Sequence, residues 1–442
     1  MPDEPPALAR RLGAFDATMI VMGGIIGSGI FMNPAVVARQ VQSPWLILGA
    51  WVVGGAVALA GAFIYAELAA RRPAVGGQYA YLREAFHPSL AFVYGWGLLL
   101  VTQTGGMAAV AVTFARYCRE LTGLTLSDGA LAALALAVLT AINCLGVRSG
   151  AVVQNLLMLL KILAIAALVV CGFFARPGIT PQVAAAPPSF DLLTAFGAAL
   201  VPVLFAYGGW QTASFLAGEV REPRKNLPRG LILGVVGVVA LYLAVNVVCL
   251  RVLTSEGLAA SSAPASDVMR AALGERGARL IAAGIAISTL GFLAQSMLTA
   301  PRVYYAMAAD RAFFPAVGWV HSRTRVPVVA IALQGVFAVV IALSGRYEQI
   351  LSYVVATDWI FFGLSAASLF VVRRRDRAAG MPEEAGAYRT FGHPWTTGVF
   401  VAVSALVVVN TLYRFPAASA IGLAILAAGL PVYLLWRRGE SP

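Results

Sequence analysis

Two ionisable side chains stand where an apolar helix would ordinarily hold none. Lys161 lies near the middle of the run Leu159-Leu160-Lys161-Ile162-Leu163 and is one of only two lysines in the chain. Asp358 sits well inside another apolar run, beside Trp359. An ionisable group at the centre of a bilayer costs roughly 2.5–3.5 kcal/mol on insertion scales, so it faces the protein interior and serves a purpose there. Snorkelling does not rescue Lys161, because either interface is some ten residues, about 15 Å, away at helix rise. Lys161 is then either a structural counter-ion or a cation that couples or gates movement. Asp358 could partner Lys161, relay a proton, or stay uncharged in a buried place. The second chemically expressive feature is backbone. Gly23, Gly24, Gly27 and Gly29 crowd the stretch G-G-I-I-G-S-G-I-F inside the apolar run Ala17 to Val37. Each glycine costs about 1 kcal/mol against alanine within a helix. Either they let another helix pack closely, or the helix unwinds at Gly27, Ser28 and Gly29. An unwound turn would aim free N–H groups and a half-helix positive end at a cavity, which suits a carboxylate.

The elements that position these residues are membrane helices. The chain has 442 residues, 60% hydrophobic and 12% charged, with a mean hydropathy of +0.81. That composition belongs to an all-α, polytopic membrane protein. Apolar runs predict twelve spans, near 16–38, 44–70, 90–118, 127–146, 150–174, 192–217, 230–253, 278–307, 326–344, 348–372, 396–413 and 417–436. With the N-terminus in the cytoplasm, 21 of the 32 Lys and Arg residues fall on the inner side and ten on the outer, with Lys161 within a span. The bias predicts cytoplasmic N- and C-termini. The first 15 residues are polar and Pro-rich and carry no cleavable signal pattern. The net charge of +12 is accounted for by these loops, so no nucleic-acid partner is expected. Cys118, Cys144, Cys171 and Cys249 are scattered, and with only three histidines no metal site or cofactor is expected.

The sixth span repeats the theme of the first. Pro202 precedes Phe205-Ala206-Tyr207-Gly208-Gly209-Trp210. Proline removes a helical hydrogen bond, and the glycine pair invites a break. Interrupted spans at matching places in two halves point to a transporter site. Spans one and six are five apart, as two inverted five-helix repeats require, one over 16–174 and one over 192–372. Spans eleven and twelve, over 396–436, read as scaffold. Glu67, at the end of the second span, either pairs with a basic loop residue or gates. Residues 76 to 86 could form a short amphipathic helix at the inner surface. Ser288, Thr289, Gln295 and Ser296 either face the core or bond their own helix. A channel would show a filter motif or a ring of like charges, and an enzyme a nucleophile with its base or a ligand cluster. Neither is visible.

The Gly23–Phe31 run resembles the first-helix signature of the amino acid–polyamine–organocation superfamily. So does Tyr65-Ala66-Glu67-Leu68, with Pro73 and Gly76-Gly77-Gln78-Tyr79 after it. The sixth-span motif and Gly218–Arg229 resemble the L-type amino acid transporter branch and its bacterial relatives, as does Asp358-Trp359-Ile360-Phe361-Phe362. The resemblance covers essentially the whole chain. It implies a LeuT-like fold of twelve helices and a plasma-membrane transporter of L-amino acids. By it, amides around Gly27, Ser28 and Gly29 hold the substrate carboxylate, and carbonyls around Phe205 and Ala206 hold the ammonium. Phe205 is an outer gate, and Gly208 lets the helix break. Lys161 replaces a sodium ion by holding the broken first helix through carbonyls near Ile25 and Ile26 and a hydroxyl such as Ser288, with Tyr242 as a further polar contact. Sodium-independent exchange is expected, with proton symport as the alternative. Polyamines are less suited, since they would leave the carboxylate site unused, and sensing without transport is a further alternative. No acidic residue is evidently placed for a cationic side chain, which points to neutral, small to medium substrates. Arg119–Leu126 lacks the cysteine by which eukaryotic relatives bind a single-span subunit, so no disulfide-linked partner is expected.

Overall fold

A computed structural model describes residues 8–177, 190–344, 347–380, 388–414 and 416–438. Arg346, one of the ten basic residues counted on the outer side, and the first seven residues of the N-terminal segment lie outside these. The described residues are helical. The first helices are α1 (Ala14–Ile25), α2 (Gly29–Val41), α3 (Pro44–Arg71), α4 (Gln78–Ala85) and α5 (Pro88–Gly97). A π-helical turn, Leu98–Thr102, joins α5 to α6 (Gln103–Thr122), and α7 (Asp128–Cys144) and α8 (Val147–Phe174) follow. After α9 (Phe190–Ala206) comes a 3-10 segment, Trp210–Glu219, and then α10 (Pro223–Ala260), α11 (Pro264–Thr299) and α12 (Pro301–Ala309). The last are α13 (Val328–Ser344), α14 (Tyr347–Ala378), α15 (Trp395–Arg414) and α16 (Pro416–Arg438). Among the described residues the β-pairing is one isolated bridge, Leu12 to Val220.

Proline sets many of the starts. It occupies the first turn of α3, α5, α10, α11 and α12, where its missing N–H would have had no helical acceptor. This explains two boundary corrections. The seventh span was expected from 230, but its helix begins at Pro223; the eighth, expected from 278, begins at Pro264. The expected end of the seventh span, 253, falls beside a kink at Thr254, and the expected start of the eighth lies just after a kink at Gly274. Residues 76 to 86 do form a short helix, α4. It is not a surface float: Tyr79, Tyr81 and Leu82 are buried against α5 and α14.

The twelve expected stretches all fall on helices, but the spans that length and composition certify are fewer. Among the described residues seven helical runs are long and apolar enough to cross a membrane, and the bent pair α1 and α2 would make an eighth. The helices α7 and α13, 17 residues each, are apolar but shorter; at 1.5 Å per residue they reach about 25 Å against a hydrocarbon core of about 30 Å. The interior is built by α10 packing along α3 and α1, and α11 along α8 and α6. Both bring their polar residues to the place where α1 gives way to α2.

Candidate functional site

The first helix breaks where its glycines predict. Ile26 is extended, α2 restarts at Gly29, and the two halves bend by 44°. A helix that ends leaves carbonyls without donors. Here three successive carbonyls each receive one from a different helix. The Tyr242 hydroxyl of α10 donates toward Ile25 O at 3.1 Å. Lys161 of α8, with no exposed surface, donates Nζ to Ile26 O. Ser288 of α11 donates to Gly27 O at 3.1 Å. On the other side of the break, the N–H groups of Gly27, Ser28 and Gly29 have no protein acceptor among the described residues.

The second broken element is α9. It stops at Ala206, and the chain turns through Tyr207-Gly208-Gly209 into the 3-10 segment. The residue that needs to be glycine is Gly209, at φ +110°, and not Gly208, which carries no such constraint. A Cβ on Gly209 would collide with the carbonyl of Gly24, and one on Gly24 would lie 2.6 Å from Gly209 O. The two breaks therefore touch through bare backbone. Tyr242 joins them as well, since its hydroxyl is also 3.3 Å from Ala206 O. Asn33 of α2 adds a bond to Pro202 O at 2.8 Å.

Between the breaks lies a cavity of about 210 Å3. Ile25, Gly27, Ser28, Gly29, Phe205, Ala206 and Gly208 line it, with Asp358 of α14. Ile26, Lys161, Tyr242 and Ser288 do not; they stand behind the backbone of the break. At one wall is the amino end of α2, carrying roughly +0.5 of an elementary charge, and at the other the carboxyl end of α9, carrying roughly −0.5. The ends are close: a Cβ on Gly29 would lie 3.5 Å from the Cβ of Ala206. Phe205 is 42% exposed, an open position for a ring expected to cover the site. Asp358 is partly exposed and makes no hydrogen bond or ion pair among the described residues, so it does not partner Lys161.

Several lining residues were not foreseen. Leu98 and Thr102 belong to the π-helical turn, a local widening common at functional sites. Trp359 and Phe362 form an aromatic wall with Phe400 behind them. Gln295, expected either to face the core or to bond its own helix, does line the cavity, and at the floor it is joined to the unforeseen Thr212 by a bond of 2.6 Å. Below this floor the molecule is closed. Arg302 and Glu219 form a two-bonded ion pair at 2.7 and 3.1 Å with both side chains at 0% exposure, and Leu12 bridges to Val220. Glu67 does meet basic partners, namely Arg71 on its own helix and Arg373 at the end of α14. Thr289 bonds its own helix backbone. Among the described residues no group of His, Cys, Asp or Glu is arranged to hold a metal ion.

Residues 12–433 match the amino acid permease family. The chain is 31% identical over 440 residues to a serine/threonine exchanger of Bacillus subtilis (strain 168), with 98% of each chain covered. It is 28% identical over 447 residues to large neutral amino acids transporter small subunit 2 of Homo sapiens, covering 97% of this chain and 81% of that one. It is 29% identical over 384 residues to b(0,+)-type amino acid transporter 1 of Oryctolagus cuniculus, covering 84% and 78%.

Proposed function

The chain belongs to the amino acid permease family, and from that premise we propose that it is a sodium-independent exchanger of neutral L-amino acids of small to medium size, working by alternating access. The observation that carries this reading is the facing pair of helix ends. The unbonded N–H groups at Gly27 to Gly29 suit a carboxylate, and the carboxyl end of α9 at Phe205 and Ala206 suits an ammonium. An α-amino acid carries those two charges on groups attached to one carbon. A cavity of about 210 Å3 is smaller than the roughly 300–1,000 Å3 of sites for drug-sized ligands, which supports a substrate of few heavy atoms. Exchange is supported by the Bacillus relative's being an exchanger. Sodium independence rests on Lys161, whose Nζ occupies the donor position at Ile26 O that an ion would otherwise fill.

The architecture that goes with this reading is a LeuT-like fold. It has twelve spans in two inverted repeats, 16–174 and 192–372, plus two further helices over 396–436. Both termini are cytoplasmic and the membrane is the plasma membrane. The open Phe205 and the packed layers beneath Gln295 fit a state open to the outside. No disulfide-linked subunit belongs to this proposal, because Arg119–Leu126 offers no cysteine.

One observation favours a second reading. Asp358 lines the cavity without a protein partner, and such a carboxyl could carry a proton with the substrate. The two are separated by purified protein in liposomes, following labelled L-alanine and L-leucine. Uptake that needs internal amino acid and ignores a proton gradient supports exchange. Accumulation in empty liposomes only under an inward proton gradient would replace exchange by symport.

A further inference from the structure

A second cavity, of about 520 Å3, lies away from the broken helices. It opens at the end of the molecule from which α1 starts. Three separate parts of the chain converge on it: Arg11 from the segment before α1, Arg148 and Ser149 from the first turn of α8, and Arg323 from the loop before α13. None of these three guanidinium groups has a partner among the described residues. Among the described residues, the carboxylates at this end are engaged elsewhere. Glu67 and Asp376 bind Arg71, Glu84 binds Arg72, Asp310 binds Arg83, Glu219 binds Arg302 and Glu222 binds Lys225. Asp16 accepts from the Gly13 N–H and from Asn155. The arginines therefore surround an open space with no counter-charge among the described residues, and the amino end of the 28-residue α8 adds its partial positive charge.

The rim of this space is apolar. Leu145 and Val152 line it and are exposed, and Val152 begins a stripe that continues through Leu156, Leu159 and Leu163 along one exposed face of α8. A free anion would use only the arginines. A phospholipid with an anionic headgroup uses both the arginines and the stripe, and basic pockets of this kind between membrane helices suit such headgroups. We propose that the cavity binds the phosphate of an anionic phospholipid, with an acyl chain along Val152 to Leu163. Bound there, the headgroup ties the segment before α1 to α8 and to the loop before α13. The site is remote from the cavity between the breaks, so the proposal stands whatever the transported substrate is.

The test uses the full-length protein in detergent, titrated with short-chain phosphatidylglycerol, phosphatidylcholine or inorganic phosphate, reading the melting temperature and the affinity. Phosphatidylglycerol should raise the melting temperature of the wild type. It should do so equally in Arg276→Gln/Arg279→Gln, which removes two exposed arginines near the opposite end of the molecule. In Arg148→Gln/Arg323→Gln the affinity should fall about 30-fold, two charges' worth at the surface. If that double variant does not fold, Arg148→Gln alone should weaken binding about fivefold. An equal response to phosphatidylcholine overturns the proposal, as does an undiminished response in the arginine variants. Inorganic phosphate reproducing the shift would replace a lipid site by a free-anion site.

Discussion

Replacing Tyr242 with phenylalanine removes a single oxygen from the middle of the molecule. The ring should stay where it is, held edge-on to Trp51 at 5.6 Å and tilted against Tyr207 at 5.1 Å. The lost hydroxyl lies 3.1 Å from Ile25 O and 3.3 Å from Ala206 O. It carries one proton, so one hydrogen bond is lost rather than two. A neutral bond contributes about 0.5–1.5 kcal/mol net, and a buried carbonyl stripped of its donor costs about 1–3 kcal/mol. At about 1.4 kcal/mol per tenfold, 1–3 kcal/mol corresponds to roughly 5- to 150-fold in an equilibrium. Only the part that differs between the two access states alters transport, so counterflow of labelled amino acid in liposomes should fall about 5- to 50-fold. The protein should still fold, with a melting temperature only a few degrees lower. Adding Ser288→Ala, which removes the donor to Gly27 O two residues away, should give a double variant off additivity by more than about 0.5 kcal/mol. Counterflow in Tyr242→Phe within twofold of wild type would refute the idea that side-chain donors hold the break.

Lys161→Met should leave Ile26 O without its donor and reduce counterflow at least about tenfold, since bonds from charged groups contribute about 1.5–3 kcal/mol. Lys161→Arg should not restore it, because Gly291 packs so closely that even a Cβ there would lie 3.3 Å from Lys161 Cε. Gly209→Ala should abolish transport or prevent folding, as the new methyl meets the Gly24 carbonyl at φ +110°, whereas Gly398→Ala, on α15 with nothing within 4 Å of its Cβ, should fold and transport; thermal melts and counterflow read both. Asp358→Asn should preserve exchange of neutral amino acids, and loss of uptake driven by a proton gradient in this variant would favour symport. Arg302→Met should cost about 3–5 kcal/mol by leaving Glu219 buried without its partner, and adding Glu219→Gln should recover much of the loss in a melting experiment.

The polar exceptions were legible in the sequence because the bilayer makes them expensive. Lys161 had to face inward, and the structure buries it; the glycines around Ser28 left close packing and unwinding open, and the structure shows both, with Gly24 against Gly209 and a break after Ile25. What sequence could not resolve was which of two equivalent neighbours does the work. Gly208 and Gly209 are the same residue type in adjacent positions, and only the backbone angle shows that Gly209 is the one that turns. The pair Glu219 and Arg302 is separated by 83 residues, and no local pattern links them. The early starts of α10 and α11 had a readable signal in Pro223 and Pro264, which apolar runs alone overlook because the helices begin in polar sequence. The π-helical turn at Leu98–Thr102 leaves no compositional trace.

The crossing of Gly24 over Gly209 bears on how such a molecule can move. Where side chains interlock, one helix can pass another only if rotamers leave their wells and reseat, and that gives the motion discrete steps and a barrier at each. Two bare backbones have no rotamers to change. At this contact the two broken helices meet as smooth bearing surfaces, free to pivot by small angles, while the resistance to any such movement resides in the toothed contacts around it.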